Sequence, residues 1–216
     1  MINKKTLPLF LILAFFISSC SGTALVSSWK TEAQPKQYSK VGVLVLTSSK
    51  VARSVMERAM VQDFKDKGIN ATTTMAIFPS VKADGLVVNR SEEETKAFMQ
   101  TKLDEAGIDA IIVLVMKKRE KKEGYGQRAN STRYFGNYNS YYGYMGYNIT
   151  QISTPGYYGS STKYFVESNL YDIESSEMIY SAQTKTKDPS NVKKEVEHLV
   201  SLVVNDIVKK KAISTK

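Results

Sequence analysis

Few side chains in this sequence have the type and spacing for chemistry, and each has a plainer role at hand. His198 is the only histidine. Counted at about 100° per residue along its helix, it lies about 160° from the centre of the apolar stripe and is expected to face solvent. Neither a catalytic triad nor a histidine metal cluster is then expected. Asp172, Glu174 and Glu177 gather at a turn, where paired carboxylates do acid/base work or hold a cation only if a pocket shifts their titration. Turn chemistry and solubility account for them. Thr47, Ser48, Ser49, Lys50 and Arg53 bring hydroxyls and cations to a helix start after a strand, the place where phosphates bind in α/β sheets. The glycines of a dinucleotide or phosphate-loop fingerprint are missing, so capping suffices. The sequence supplies no set of catalytic residues, cofactor ligands or metal ligands.

Cys20 is different. Lys4 and Lys5 precede the apolar run from Leu7 to Ile17, which small residues end; this is the plan of a secretory signal over residues 1–19, too short to span a bilayer. Ile17, Ser18, Ser19 and Cys20 resemble a lipobox, in which the cysteine thiol takes lipid before cleavage. Cys20 is also the only cysteine. Acylation consumes a thiol that would otherwise risk mispairing in an oxidising compartment. After Cys20 come Ser21, Gly22, Thr23 and Ala24, with neither a retention aspartate nor an acidic cluster. The expected address is the cell envelope, at the periplasmic face of the outer membrane.

The elements that position everything else follow. The chain has 216 residues, 42% hydrophobic, with formal charge +9; that length suits one buried core, and the charge favours anionic surfaces. Residues 20–39 are polar and read as a lipidated tether, with Trp29 either clasped to the domain or lying near the membrane beside Lys30. A single domain over 40–211 and a tail at 212–216 complete the division. Val41 to Leu46 reads as a buried strand, and a helix through Phe64 follows. Gly68 suits the left-handed position that closes that helix, and Ile69 to Ile77 reads as a strand. Ser91 and Glu94 make a capping box, Gly107 ends the second helix, and Ile108 to Met116 is a strongly apolar strand. Thr162 to Ile173 and Met178 to Thr186 read as a hairpin. Asp188 and Pro189 open a last helix with Val192, Val196, Leu199, Val200, Val203 and Ile207 in one stripe. The expected fold is α/β (α+β), a mixed five-stranded sheet in the order β-α-β-α-β, long insertion, β-β-α.

The insertion, residues 117–161, starts with a basic run and holds nine of the 13 tyrosines between Gly124 and Ser161. Tyr134, Phe135, Tyr138, Tyr141, Tyr142, Tyr144 and Tyr147 are its candidate partner-binding residues, because tyrosine offers stacking area and a hydroxyl at low entropic cost. A mobile loop without a role, a protein or glycan interface, and a membrane-inserting hairpin all remain open. Asn137, Asn139, Gly143 and Gly146 interrupt the lipid-facing alternation that the hairpin would need.

This order, with a leading lipobox and a closing hairpin plus helix, resembles small bacterial envelope lipoproteins with a domain like the amino-terminal domain of TolB; the curli-secretion channel lipoprotein carries a related domain. The nearest match is Leu170, Tyr171 and Asp172, then Met178, Ile179, Tyr180 and Ser181. Relatives typically show a turn glycine and a tryptophan where this chain has Ser176 and Tyr180. The resemblance spans roughly Lys40 to Lys211 without the insertion. It implies a fold and an envelope location, and an interaction or assembly role, in transport or secretion, with no active site to carry over.

The expected function is therefore that of a membrane-anchored, non-enzymatic envelope component with a protein or glycan partner, as a monomer or an oligomer. The alternative is a small envelope hydrolase or glycan-modifying enzyme. Nucleic acid is an unexpected partner for a secreted lipoprotein despite the basic charge. Replacing Cys20 by Ser is expected to release the protein from the membrane fraction. Retention of the variant, with no labelled palmitate on the parent protein, would overturn the reading.

Overall fold

Val41–Leu46 and Ala110–Glu120 hold the most continuous apolar runs of the described chain, and they lie side by side as parallel strands, Val43 opposite Ile112 and Val45 opposite Leu114. Where the two strands pair, Val41–Leu46 against Ala110–Val115, no position carries a polar side chain, and both faces are covered. The structure, a computed structural model, describes residues 22–47, 49–79, 91–120, 140–142, 144–145, 162–187 and 191–214. Its elements are β1 (Thr23–Lys30), β2 (Val41–Leu46), α1 (Lys50–Asp66), β3 (Ala71–Thr73), α2 (Glu92–Glu105), β4 (Ala110–Glu120), β5 (Thr162–Asp172), β6 (Met178–Lys187) and α3 (Val192–Lys209).

The strands form one sheet in the order β1-β6-β5-β4-β2-β3. β2 runs parallel to β3 and β4, while β4, β5, β6 and β1 pair antiparallel in turn. On one face Val41, Val43, Val45, Ile112, Leu114, Val166 and Leu170 meet α1 and α3. On the other, Leu44, Leu46, Ile111, Val113, Val115 and Tyr171 meet Met99 and Leu103 of α2 together with Phe78. The mixed α/β character expected from the sequence is present, and Ser91 and Glu94 do form the capping box. Gly68 and Gly107 both take positive φ, 77° and 65°, just after their helices.

Four corrections have physical causes. The sheet has six strands instead of five, because Thr23–Lys30, read as tether, pairs along β6. An edge strand that covers only part of its surface needs few apolar residues, and the pairing slips around Val26, so no clean alternation marks it. β3 is only three residues long. Thr74 donates its backbone N–H to the Glu57 carboxylate at 3.1 Å, and its carbonyl accepts from Ile77 and Phe78 in a helical turn, which ends the strand. α3 is capped by Asn191, whose side chain accepts from the Lys194 N–H at 3.1 Å; Asp188 and Pro189 lie outside the described residues. The segment assigned to a tail is not loose at its start, since Ala212 and Ile213 are buried and Ser214 donates to the Lys36 carbonyl.

The α3 stripe follows the expected periodicity from its second turn onward: Val196, Leu199, Val200, Val203 and Ile207 are buried together with Val204, whereas Val192, counted in the stripe, stands 67% exposed on the first turn. Val203 has no exposed surface. Val203→Asp places an unpaired carboxylate there and is expected to cost about 3 kcal/mol or more, whereas Asn205→Asp on the exposed side should stay within about 0.5 kcal/mol. Chemical denaturation of both variants checks this.

Candidate functional site

The hydroxyls and cations at the start of α1 are used by the fold. Ser49 is the N-cap, accepting from the Ala52 N–H at 3.2 Å. Arg53 is buried; its Nε donates to Glu57 Oε1 at 2.7 Å, and its other nitrogens to the Phe78 carbonyl and Thr74 Oγ1. Glu57 also accepts from the Val45 N–H. The guanidinium is thus committed to binding β2, α1 and the segment after β3 together, and it is not offered to an anion. Ser48 lies outside the described residues. His198 is partly covered on α3 and not fully solvent-facing.

The carboxylates of the β5–β6 turn form a clamp. Lys36 Nζ lies 2.9 Å from both Asp172 Oδ2 and Glu174 Oε2, and the Tyr38 hydroxyl donates to Asp172 at 3.0 Å. The Ser175 N–H donates to the other Asp172 oxygen at 2.8 Å. Burial alone would raise the Asp172 pKa, but the donors from Ser175, Lys36 and Tyr38 outweigh it and hold the carboxyl below its ordinary value. The hydrogen bonds that Lys36 donates to Glu174 and Asp172 raise its own pKa in turn. Both groups stay charged at neutral pH, which suits a clamp and leaves neither poised to exchange a proton there. Glu177 is exposed. One element further, the buried Tyr180 hydroxyl donates to Asp206 of α3 at 2.9 Å, joining the hairpin to the closing helix.

The tyrosine-rich insertion divides. Tyr134, Phe135, Tyr138 and Tyr147 lie outside the described residues, as does Cys20. Tyr141 and Tyr144 are buried with Met145 in the core that covers the α2 side of the sheet. Tyr141 packs edge-on against Tyr142 and Tyr171. Burial, with Asp104 and Tyr142 adding to it, pushes the Tyr141 hydroxyl up to about 12. Tyr142 is half-buried, with Lys96 over its ring. Tyr141 and Tyr144, candidates for a partner by their residue type, are instead buried against the protein's own sheet, where tyrosine rings supply the apolar area themselves.

Next to Tyr144, a groove opens on the same face over β5, β6 and β1. Cross-strand pairing sets two rows into it, Trp29 beside Ser181 beside Asn169, and Ser27 beside Gln183 beside Glu167. The groove encloses about 370 Å³ and is walled on one side by Tyr144, whose hydroxyl donates to Glu167 at 3.1 Å. Trp29 is 50% exposed. Asn169 is buried and bonds Tyr171 through its side chain, while its Oδ1 has no hydrogen-bond partner among the described residues. An exposed indole face, amides, hydroxyls and a carboxylate can stack on and hydrogen-bond an extended polar ligand. The sequence singled out Trp29. It also carried an unread signal, polar Glu167 and Asn169 alternating with buried Val166 and Leu170 along β5.

No protein-family model matches the chain, and no curated protein matches its sequence. Among solved structures, the PelC dodecamer from Paraburkholderia phytofirmans is 9% identical with a TM-score of 0.46, covering 90% of this chain and 99% of that one. Lipoprotein GNA1162 from Neisseria meningitidis is 13% identical with a TM-score of 0.39, covering 78% and 96%.

The clamp has a pH signature. A carboxyl whose folded pKa is depressed stabilises the fold above its unfolded value, about 3.9, and that contribution is lost as pH falls through the folded value. Asp172→Asn is expected to cost about 1–3 kcal/mol at pH 7, and the gap from the parent should shrink below about pH 4. Urea unfolding across that range checks it.

Proposed function

We propose that the protein is a lipid-anchored, non-enzymatic binding component of the bacterial envelope that holds an extended polar ligand, a glycan chain, in the groove beside Trp29. The lipid anchor is supported by the leader and by Cys20 as the sole thiol. The groove is carried by one observation above the others: Trp29, half-exposed, ends the row that runs from Asn169 through Ser181 and stands beside the row that holds the Gln183 amide. Sugar rings offer apolar faces to an indole and hydroxyls to amide oxygens, so one ligand class satisfies both.

The periplasmic face of the outer membrane is part of the same proposal, as is the kinship with TolB-like envelope domains. Support for that kinship comes from the parallel β2–β4 pair, the β5–β6 hairpin and the closing α3, with Tyr180 taking the aromatic position.

Trp29 is the only tryptophan, so its emission reports on the groove directly. Titration with isolated envelope polysaccharide is expected to shift or quench that emission, and Gln183→Ala should weaken binding about fivefold, the worth of one hydrogen bond. Emission unchanged at saturating polysaccharide would overturn the glycan assignment. A photo-crosslinker at Gln183 that recovers an envelope protein in cells would instead assign the groove to a protein partner.

A further inference from the structure

The topology gathers several element ends at one end of the sheet. Thr23 at the start of β1 pairs with Thr186 near the end of β6, and Lys163 at the start of β5 pairs with Lys187. α1 leaves the carboxyl end of β2, which lies at the same end because β2 is parallel to β4 and β4 is antiparallel to β5. α3 starts there too, shortly after β6.

Three large apolar side chains stand in solvent on these two helix starts: Val51 is 75% exposed, Val55 36% and Val192 67%. Between the starts lies a groove of about 190 Å³ walled by Met56, Met116, Tyr164, Val166, Val192 and Val196. The core does not require the outward valines, and valine in a helix's first turns offers neither a cap nor good propensity. Lys50, Lys187, Lys193 and Lys194 are exposed on the same ends. Of the nearby acids, Glu195 accepts from Thr23 Oγ1 at 2.5 Å, and Glu197 lies 3.9 Å from Lys193.

We propose that this end of the domain is a membrane-docking surface. The valines and the groove enter the headgroup–acyl boundary of the bilayer that carries the Cys20 lipid, and the lysines lie among anionic headgroups. The proposal rests on the lipid-anchor reading, and the chain leading to the anchor selects the occupant. Ser21 alone separates Cys20 from Gly22. The Gly22 carbonyl accepts from the Lys187 N–H at 2.9 Å, and a Cβ on Gly22 would stand 2.6 Å from the Lys187 carbonyl oxygen, so the backbone is pressed onto the sheet there. Thr23 adds a 2.7 Å bond to Thr186. Two residues reach at most about 7 Å, so a lipid on Cys20 emerges at this end and nowhere else. Apolar side chains ringed by lysine form the pattern that inserts shallowly into an anionic interface.

The test uses the chain from residue 20 onward with Cys20→Ser, so that docking is measured without the lipid. An environment-sensitive fluorophore is placed on Val192→Cys or, at the opposite end, on Glu174→Cys, whose native side chain is 86% exposed. With vesicles of phosphatidylcholine and phosphatidylglycerol, the label at 192 is expected to brighten and shift to the blue while the label at 174 does not change. Lys193→Ser with Lys194→Ser should lower vesicle affinity about fivefold per charge. No response at 192, or an equal response at 174, overturns the proposal. Lipid attachment is read separately, as labelled palmitate on the full-length parent. A labelled parent whose Cys20→Ser form ignores vesicles keeps the anchor and sinks the surface; an unlabelled parent whose Cys20→Ser form docks at 192 does the reverse.

Discussion

The ladder between β1 and β6 is the constraint from which the functional geometry follows. It turns a polar stretch that would otherwise be loose chain into an edge strand, and so fixes where the polypeptide enters the domain. The same ladder sets Trp29 beside Ser181 and makes β1 one wall of the groove. Entry point and groove are therefore coupled. Thr23 is held at one end of the strand by Thr186 and Glu195, while Trp29 lies near the other end. Under the proposed reading, one strand sets both the membrane-facing end and the ligand-facing surface.

Toward the opposite edge of the sheet from β1, a buried ion pair ties the parallel strands to α1. Arg53 and Glu57 are 3% and 0% exposed, and the contacts they make lie within hydrogen-bond reach of β2, Thr74 and Phe78. Two charges buried together stabilise little in net terms, because desolvation offsets their attraction. Removing one partner alone leaves the other uncompensated. The pair accordingly fixes how α1 enters and where β3 stops more than it adds to stability, and the Asp172–Lys36–Tyr38 clamp does comparable work for the segment between β1 and β2.

How much of this was legible in the sequence depends on whether a residue's neighbours are near in the chain. The α3 stripe, the Ser91 capping box, the glycines after α1 and α2, and the apolar β2 and β4 are all local patterns, and the structure contains each of them. Strand β1 was not legible, because its partner β6 lies more than a hundred residues away and its own residues are those of a polar linker. Arg53 looked like a cation at a helix start, since nothing local announces that Thr74 and Phe78 will close over it. Tyr141 and Tyr144 looked like interface residues, because composition cannot tell a ring that meets a partner from one that meets its own sheet. For the candidate site, Trp29 was visible and its companions Asn169 and Gln183 were not, since only cross-strand register sets them in rows.

Under the proposed anchoring through Cys20, no slack would separate the lipid from the domain, because the sheet begins at Thr23. Neutron reflectometry of the lipidated protein on a supported bilayer measures this directly. The expected profile is a protein layer that adjoins the headgroups with no water-rich layer between them. A solvent-filled gap beneath the protein would contradict it, showing that β1 detaches from β6 to serve as a tether.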